Sequence, residues 1–130
     1  MQEACPGWLY EVKQGATTIW ETWDGVRPDG TVHDSLNHYS YGAICGWLFG
    51  GVCGIQLEAG KLTIRPYPHP SLGYAEAKWL SPVGEIRSEW RFENDKLLIH
   101  VAVPVPAEIM LPDGRKSQVK AGAYSYEVSL

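Results

Sequence analysis

The segment Gly15-Ala16-Thr17-Thr18-Ile19-Trp20-Glu21-Thr22-Trp23-Asp24-Gly25 sets one carboxylate between two indoles, with a second carboxylate three residues on. An aromatic wall desolvates a carboxyl group and raises its pKa, which suits general acid or base work. Indole faces also stack against the C–H faces of sugar rings, and the N–H tip stays free to hydrogen-bond. Downstream, Asn37-His38-Tyr39 supplies side chains able to bond hydroxyl groups. The same residues support a plainer reading, in which Trp20 and Trp23 are core and Glu21 is a surface or capping carboxylate.

Two kinds of chain surround this cluster. Residues 1–60 hold two basic and seven acidic residues and ten of the fourteen Gly; residues 61–130 hold nine basic, eight acidic and seven of the nine Pro. A boundary near residues 56–60 follows, with domains expected over 1–55 and 56–130. The second part reads as strands. Ile86, Ser88, Trp90 and Phe92 alternate with Glu85, Arg87, Glu89, Arg91 and Glu93, so one face meets a core and the other meets water. Asn94-Asp95 is a turn signal, and Leu97, Ile99, Val101 and Val103 continue on one face. Further strands are expected at 61–66, 73–81, 107–111 and 123–129, which together predict an antiparallel β-sandwich. The first part reads as helix and loop: a short helix from Trp8 to about Val12, a polar loop over 24–34, and a helix from about Asn37 to Cys53 capped by Asp34 or Ser35. From Tyr41 to Ile55 no residue is charged. A helix apolar on every side belongs inside a larger assembly.

Composition narrows the function. The chain has 130 residues, a net charge of −4, six Trp, seven Tyr and two Phe. No basic patch is present to neutralise phosphates, so no nucleic-acid partner is expected. No apolar run is long enough to span a bilayer, so no membrane partner is expected either. Cys5, Cys45 and Cys53 lack metal or redox spacing and are expected as buried reduced thiols. His33, His38, His69 and His100 lack ligand spacing, so no metal is expected. No cofactor is expected, because no Gly-rich loop opens a helix. The N-terminus lacks the regions of a signal peptide, so a cytoplasmic location is expected for this chain, though a longer parent could be secreted.

The order-preserving run Trp8-Leu9-Tyr10, Gly15 to Glu21, Asn37 to Ala43, Trp47-Leu48, Val52 to Ile55 and Leu62-Thr63-Ile64-Arg65-Pro66 resembles the C-terminal part of bacterial α-L-rhamnosidases, glycoside hydrolase family 78. The likeness continues through Tyr74-Ala75, Ser81-Pro82-Val83-Gly84 and Leu111-Pro112-Asp113-Gly114, so it covers essentially the whole chain. The resemblance implies the end of an (α/α)6 catalytic barrel followed by a β-sandwich. It thus implies a mainly β fold: an antiparallel β-sandwich preceded by a short α-helical remnant. It implies inverting hydrolysis of terminal α-L-rhamnosides in the full-length protein, with Glu21 as general base and Trp20 and His38 in the sugar pocket.

The family's general acid belongs to an upstream acidic motif that these residues do not include, so the chain alone is expected to be inactive. Thr22 stands where Arg is common in the family, and Gly46 where an acidic residue is common. The partner implied for the full-length parent is an L-rhamnoside. Two other readings stay open. The sandwich could be a carbohydrate-binding module using Tyr67, Tyr74 or Trp79. The apolar helix over 37–55 could serve self-association or dock a complementing chain.

Overall fold

The computed structural model describes residues 7–129. Contacts divide the chain into two compact units, meeting between Cys45 and Gly46. In the first unit, α1 (Trp8–Lys13) is a short helix that buries Tyr10 and Glu11. It ends at Gln14, and Gly15 follows at φ +78°, a left-handed position that suits glycine. Trp23 holds this helix to the later chain, meeting Trp8 edge-on with ring centroids 5.1 Å apart and stacking on Tyr41 at 3.6 Å. The Tyr10 hydroxyl donates to the Val26 carbonyl at 2.7 Å. Trp20 is the centre of the unit, 2% exposed. A Cβ at Gly25 would lie 3.0 Å from Leu36 and 3.2 Å from the Trp20 ring, so the absence of a side chain there lets the indole seat.

The single helix expected over 37–53 is instead three short helical pieces. A 3-10 turn spans Ser40–Ala43, α2 spans Ile44–Trp47, and a π turn spans Leu48–Val52. Neither expected cap is used. Ser35 Oγ donates to the Asn37 carbonyl, Asp34 pairs with His33, and the run begins after Tyr39 with no side-chain cap. The final turn widens as Cys53 N–H reaches back to the Leu48 carbonyl at 3.0 Å. Within it Trp47 lies over Gly51, where a Cβ would come 2.8 Å from the indole nitrogen. Cys45 is exposed and Cys53 buried, which corrects the expectation of uniformly buried thiols; Cys5 lies outside the described residues. No helix among the described residues is long and apolar enough to cross a membrane.

The second unit is a sandwich of two four-stranded sheets. One contains β1 (Ile55–Glu58), β2 (Lys61–Ile64), β6 (Ala107–Met110) and β7 (Lys116–Val119), in that order. The other contains β3 (Tyr74–Ser81), β4 (Gly84–Glu93), β5 (Lys96–Val103) and β8 (Gly122–Ser129). All named pairs are antiparallel except β2 with β6. Period-two alternation sends Leu62, Ile64, Ile86, Trp90, Leu97, Ile99 and Ile109 into one core. Trp79 lies half-buried against that core, whereas Tyr67 and Tyr74 are exposed. Asn94 and Asp95 both take positive φ, as a two-residue turn between Glu93 and Lys96 requires.

Ser88 is the one polar residue in the buried row of β4, and its partner explains it. Its hydroxyl donates to the Cys53 carbonyl at 2.6 Å, while Trp90 Nε1 donates to the Val52 carbonyl at 2.8 Å. Both side chains are fully buried, so each polar group needs such a partner. The end of the helical run is thereby part of the sandwich core, with Val52 and Cys53 packed among the strand residues. Gly54 turns the chain from this run into β1 at φ +73°; a Cβ there would stand 2.1 Å from the Arg65 carbonyl carbon. We predict that Gly54→Ala costs about 3 kcal/mol or more, from left-handed strain and backbone overlap together. Ser88→Ala, which strands a buried carbonyl, should cost about 1–3 kcal/mol. Denaturant unfolding of both variants checks the ranking, and a Gly54→Ala protein as stable as the parent would contradict it.

Candidate functional site

Two stretches of the first unit run side by side without forming a regular strand. Glu21 N–H donates to the Ser35 carbonyl at 2.8 Å, and His38 N–H donates to the Ile19 carbonyl at 2.8 Å. Thr18 Oγ1 adds a bond to the Leu36 carbonyl. This ladder brings together Glu21 and His38, seventeen residues apart in sequence. The Glu21 side chain is then clamped: Oε2 accepts the Ser35 N–H at 3.1 Å, and Oε1 lies 4.0 Å from His38 Nε2. About two-fifths of the Glu21 side chain remains open, at 43% exposure.

The orientation of His38 follows from its other nitrogen. Ser40 N–H reaches His38 Nδ1 at 3.2 Å, and Ser40 Oγ lies 2.7 Å from it. A backbone N–H can only donate, so Nδ1 is the acceptor and the ring proton of the neutral imidazole sits on Nε2. Nε2–H therefore faces the carboxylate. One oxygen of Glu21 is held by an amide, and the other faces a neighbouring N–H and solvent. Such a carboxylate is placed to accept a proton from a water molecule, and His38 to bond a hydroxyl beside it.

Trp20 sets its ring close against Gly25, which Leu36 also approaches. It backs Glu21 through the peptide between them. The Trp20 N–H points to Glu11 Oε2 at 3.3 Å, and Glu11 is itself 3% exposed. Asp24, the second carboxylate of the cluster, is committed elsewhere. It lies 3.5 Å from Arg27 Nε and 3.2 Å from His33 Nε2. Among the described residues no group of three His, Cys, Asp or Glu is arranged to hold a metal. Sequence reasoning missed Ser35 as the clamp of Glu21 and Glu11 as the buried acceptor beneath Trp20. Neither contact has a local pattern, since the partners are fourteen and nine residues apart.

Comparison with known proteins bears on the same residues. The family model described as the bacterial alpha-L-rhamnosidase 6 hairpin glycosidase domain matches residues 1–52, and the one described as the bacterial alpha-L-rhamnosidase C-terminal domain matches residues 60–125. The chain belongs to the bacterial α-L-rhamnosidase family. It is 40% identical over 129 residues to an α-L-rhamnosidase of Formosa agariphila, covering 91% of this chain and 14% of that protein. It is 35% identical over 122 residues to an α-L-rhamnosidase of Alteromonas sp. (strain LOR), covering 85% of this chain and 13% of that protein. A crystal structure of the Streptomyces avermitilis α-L-rhamnosidase complexed with L-rhamnose superposes with a TM-score of 0.88 at 26% identity, over 98% of this chain and 15% of that one. The chain thus corresponds to a C-terminal portion of rhamnosidases and spans about one-seventh of the curated relatives it matches.

The loop beside the site carries a pH-sensitive contact. His33 Nδ1 lies 2.9 Å from Asp34 Oδ2, while Nε2 lies 3.0 Å from the Asp24 carbonyl. Two acceptors face the two ring nitrogens, and only the imidazolium donates to both. The Asp34 hydrogen bond raises the His33 pKa above its ordinary value of 6.5, with the Asp24 charge helping and Arg27 opposing. A raised folded-state pKa adds stability that is full below the unfolded value and is lost as pH rises through the folded value. Melting of the parent chain and of His33→Gln between pH 5.5 and 8.5 checks this. The stability difference should shrink as pH rises; a difference that grows with pH would contradict the assignment.

Proposed function

We propose that this chain supplies the general-base segment of an inverting α-L-rhamnosidase. The observation that carries the reading is the clamped, half-open Glu21 with His38 Nε2–H beside it. In this mechanism Glu21 takes a proton from water as the water attacks the anomeric carbon. His38 bonds a sugar hydroxyl, and the buried Trp20 fixes the wall from which Glu21 projects. Membership in the rhamnosidase family supports an L-rhamnoside as substrate of the complete protein.

Inversion needs a second, protonated carboxyl roughly 6.5–9.5 Å from the base. No carboxyl described in this unit suits that task. Asp24 is held by Arg27 and His33, Asp34 is held by His33, and Glu11 is buried beneath Trp20. Asp29 accepts from the Thr31 amide and hydroxyl, bonds that lower its pKa and favour the ionised form. We therefore propose that the 130 residues alone do not turn over rhamnosides. The apolar run also has surface to cover: Tyr39 is 86% exposed and Trp47 57% exposed, with Leu48 and Phe49 open beside Trp47 in the sequence. Residues 37–55 are accordingly proposed to associate with another copy or with the remainder of a catalytic domain.

The test joins this chain in frame behind the preceding catalytic segment of the Formosa agariphila relative and follows hydrolysis of an aryl α-L-rhamnoside. The fused protein should turn over, and Glu21→Gln should lower its kcat by about 10²–10⁴. A Glu21→Gln protein within about twofold of its parent would contradict the role of this carboxylate.

A further inference from the structure

Nine Lys and Arg lie in residues 46–130, and six of them are ion-paired: Lys61, Lys78, Arg87, Arg91, Lys96 and Arg115. Arg65, Lys116 and Lys120 have no acidic partner among the described residues. Two of these three unpaired cations, Arg65 and Lys116, border one cleft of about 570 Å³. Its walls are the segment 65–68 and the turn between β6 and β7. The only acidic residue in that turn, Asp113, is used up locally. Its Oδ1 accepts the Arg115 N–H at 3.0 Å and its Oδ2 accepts Arg115 Nε at 2.6 Å. Those bonds, the backbone one foremost, lower the Asp113 pKa. The positive charge facing the cleft is thus left uncompensated.

The cleft also has a rigid apolar side. Pro66 and Pro68 flank Tyr67, whose N–H is tied to the Gly51 and Val52 carbonyls at 3.2 and 3.3 Å. The Tyr67 ring is 73% exposed. Met110 lies on the opposite wall, and the buried Leu111 lines the cleft beside it. An exposed aromatic on a tethered backbone and an unpaired arginine lining the same cleft suit a ring that carries an anionic group, the guanidinium serving the anion and the phenol ring the face of the bound ring.

We propose that this cleft binds a saccharide bearing a carboxylate or a sulfate ester, through Arg65, Lys116 and Tyr67. The choice of a sugar over other ring-bearing anions rests on the glycosidase reading above. Binding is read without turnover, so its failure is distinct from failure of the Glu21 assignment. The site lies on the sandwich, among residues that the general-base reading does not use.

The test is an NMR titration of the full chain at fixed ionic strength with methyl β-D-glucuronide, glucose 6-sulfate, methyl β-D-glucoside and sodium sulfate. At least one anionic sugar should saturate shifts of the Arg65, Tyr67, Leu111 and Lys116 amides, and bind about tenfold more tightly than the neutral glucoside. The relative response to the two anionic sugars tells carboxylate from sulfate ester. The double substitution Arg65→Ala with Lys116→Ala should abolish that preference. Tyr67→Ala should weaken the sugar more than it weakens sodium sulfate. Three results would overturn the proposal: equal binding of the neutral glucoside, sodium sulfate binding as tightly as either anionic sugar, or a preference that survives the double substitution. All three proteins should melt at the same temperature, since the substituted side chains are exposed.

Discussion

Two backbone carbonyls at the end of a helical run, those of Val52 and Cys53, organise the larger unit of this protein. They reach into the sandwich and accept from Trp90 and Ser88 on the central strand β4. A helix leaves its last carbonyls without internal partners, and burial makes an unfilled carbonyl costly. Here the core itself supplies the donors. The consequence runs onward along the chain. Gly54 must turn sharply against Arg65, and β1 then pairs with β2, which carries β6 and β7 behind it. Tyr67 is fixed by the same stretch, through its amide bonds to Gly51 and Val52.

This constraint bears on how the chain divides. The family models meet on either side of residues 53–59, whereas contacts group residues from Gly46 onward with the strands. The physical reason is that the last helical turn has more to bury in the sandwich than its sequence neighbours offer. A stretch with five glycines and no charge between Tyr41 and Ile55 packs close to whatever surrounds it. Its end meets β4, while the exposed Trp47, Leu48 and Phe49 keep an apolar surface open.

Much of the fold was legible because strands announce themselves locally. Residues 84–103 alternate cleanly and turn at Asn94-Asp95, and they form the hairpin that this pattern implies. The strands β1 and β7 were not anticipated, because four residues beside Gly-rich or turn sequence carry too little alternation. The parallel pairing of β2 with β6 joins segments forty-five residues apart and has no local sign. Ser88 was visible as a polar residue in an apolar row, but its acceptor lies thirty-five residues upstream. The site divides in the same way. Glu21 stood out by its aromatic neighbours, and family resemblance singled out His38. The Ser35 amide that holds Glu21 looked like a helix cap, because Ser before a helical stretch commonly is one. In the folded chain its backbone amide and carbonyl bond Glu21, while its hydroxyl bonds Asn37, short of the helical run that begins after Tyr39.

If the last helical turn belongs to the sandwich, it must open only when the sandwich unfolds. Native-state hydrogen exchange on the intact chain measures this directly. The amides of Cys53, Arg65 and Tyr67, which close the bonds to Leu48, Gly54 and Gly51–Val52, should exchange with the same opening free energy as the core amides of Trp90 and Ile99 in β4 and β5. Exchange at Cys53 and Arg65 that is faster than in those strands by several orders of magnitude, with the strands still fully protected, would contradict the account.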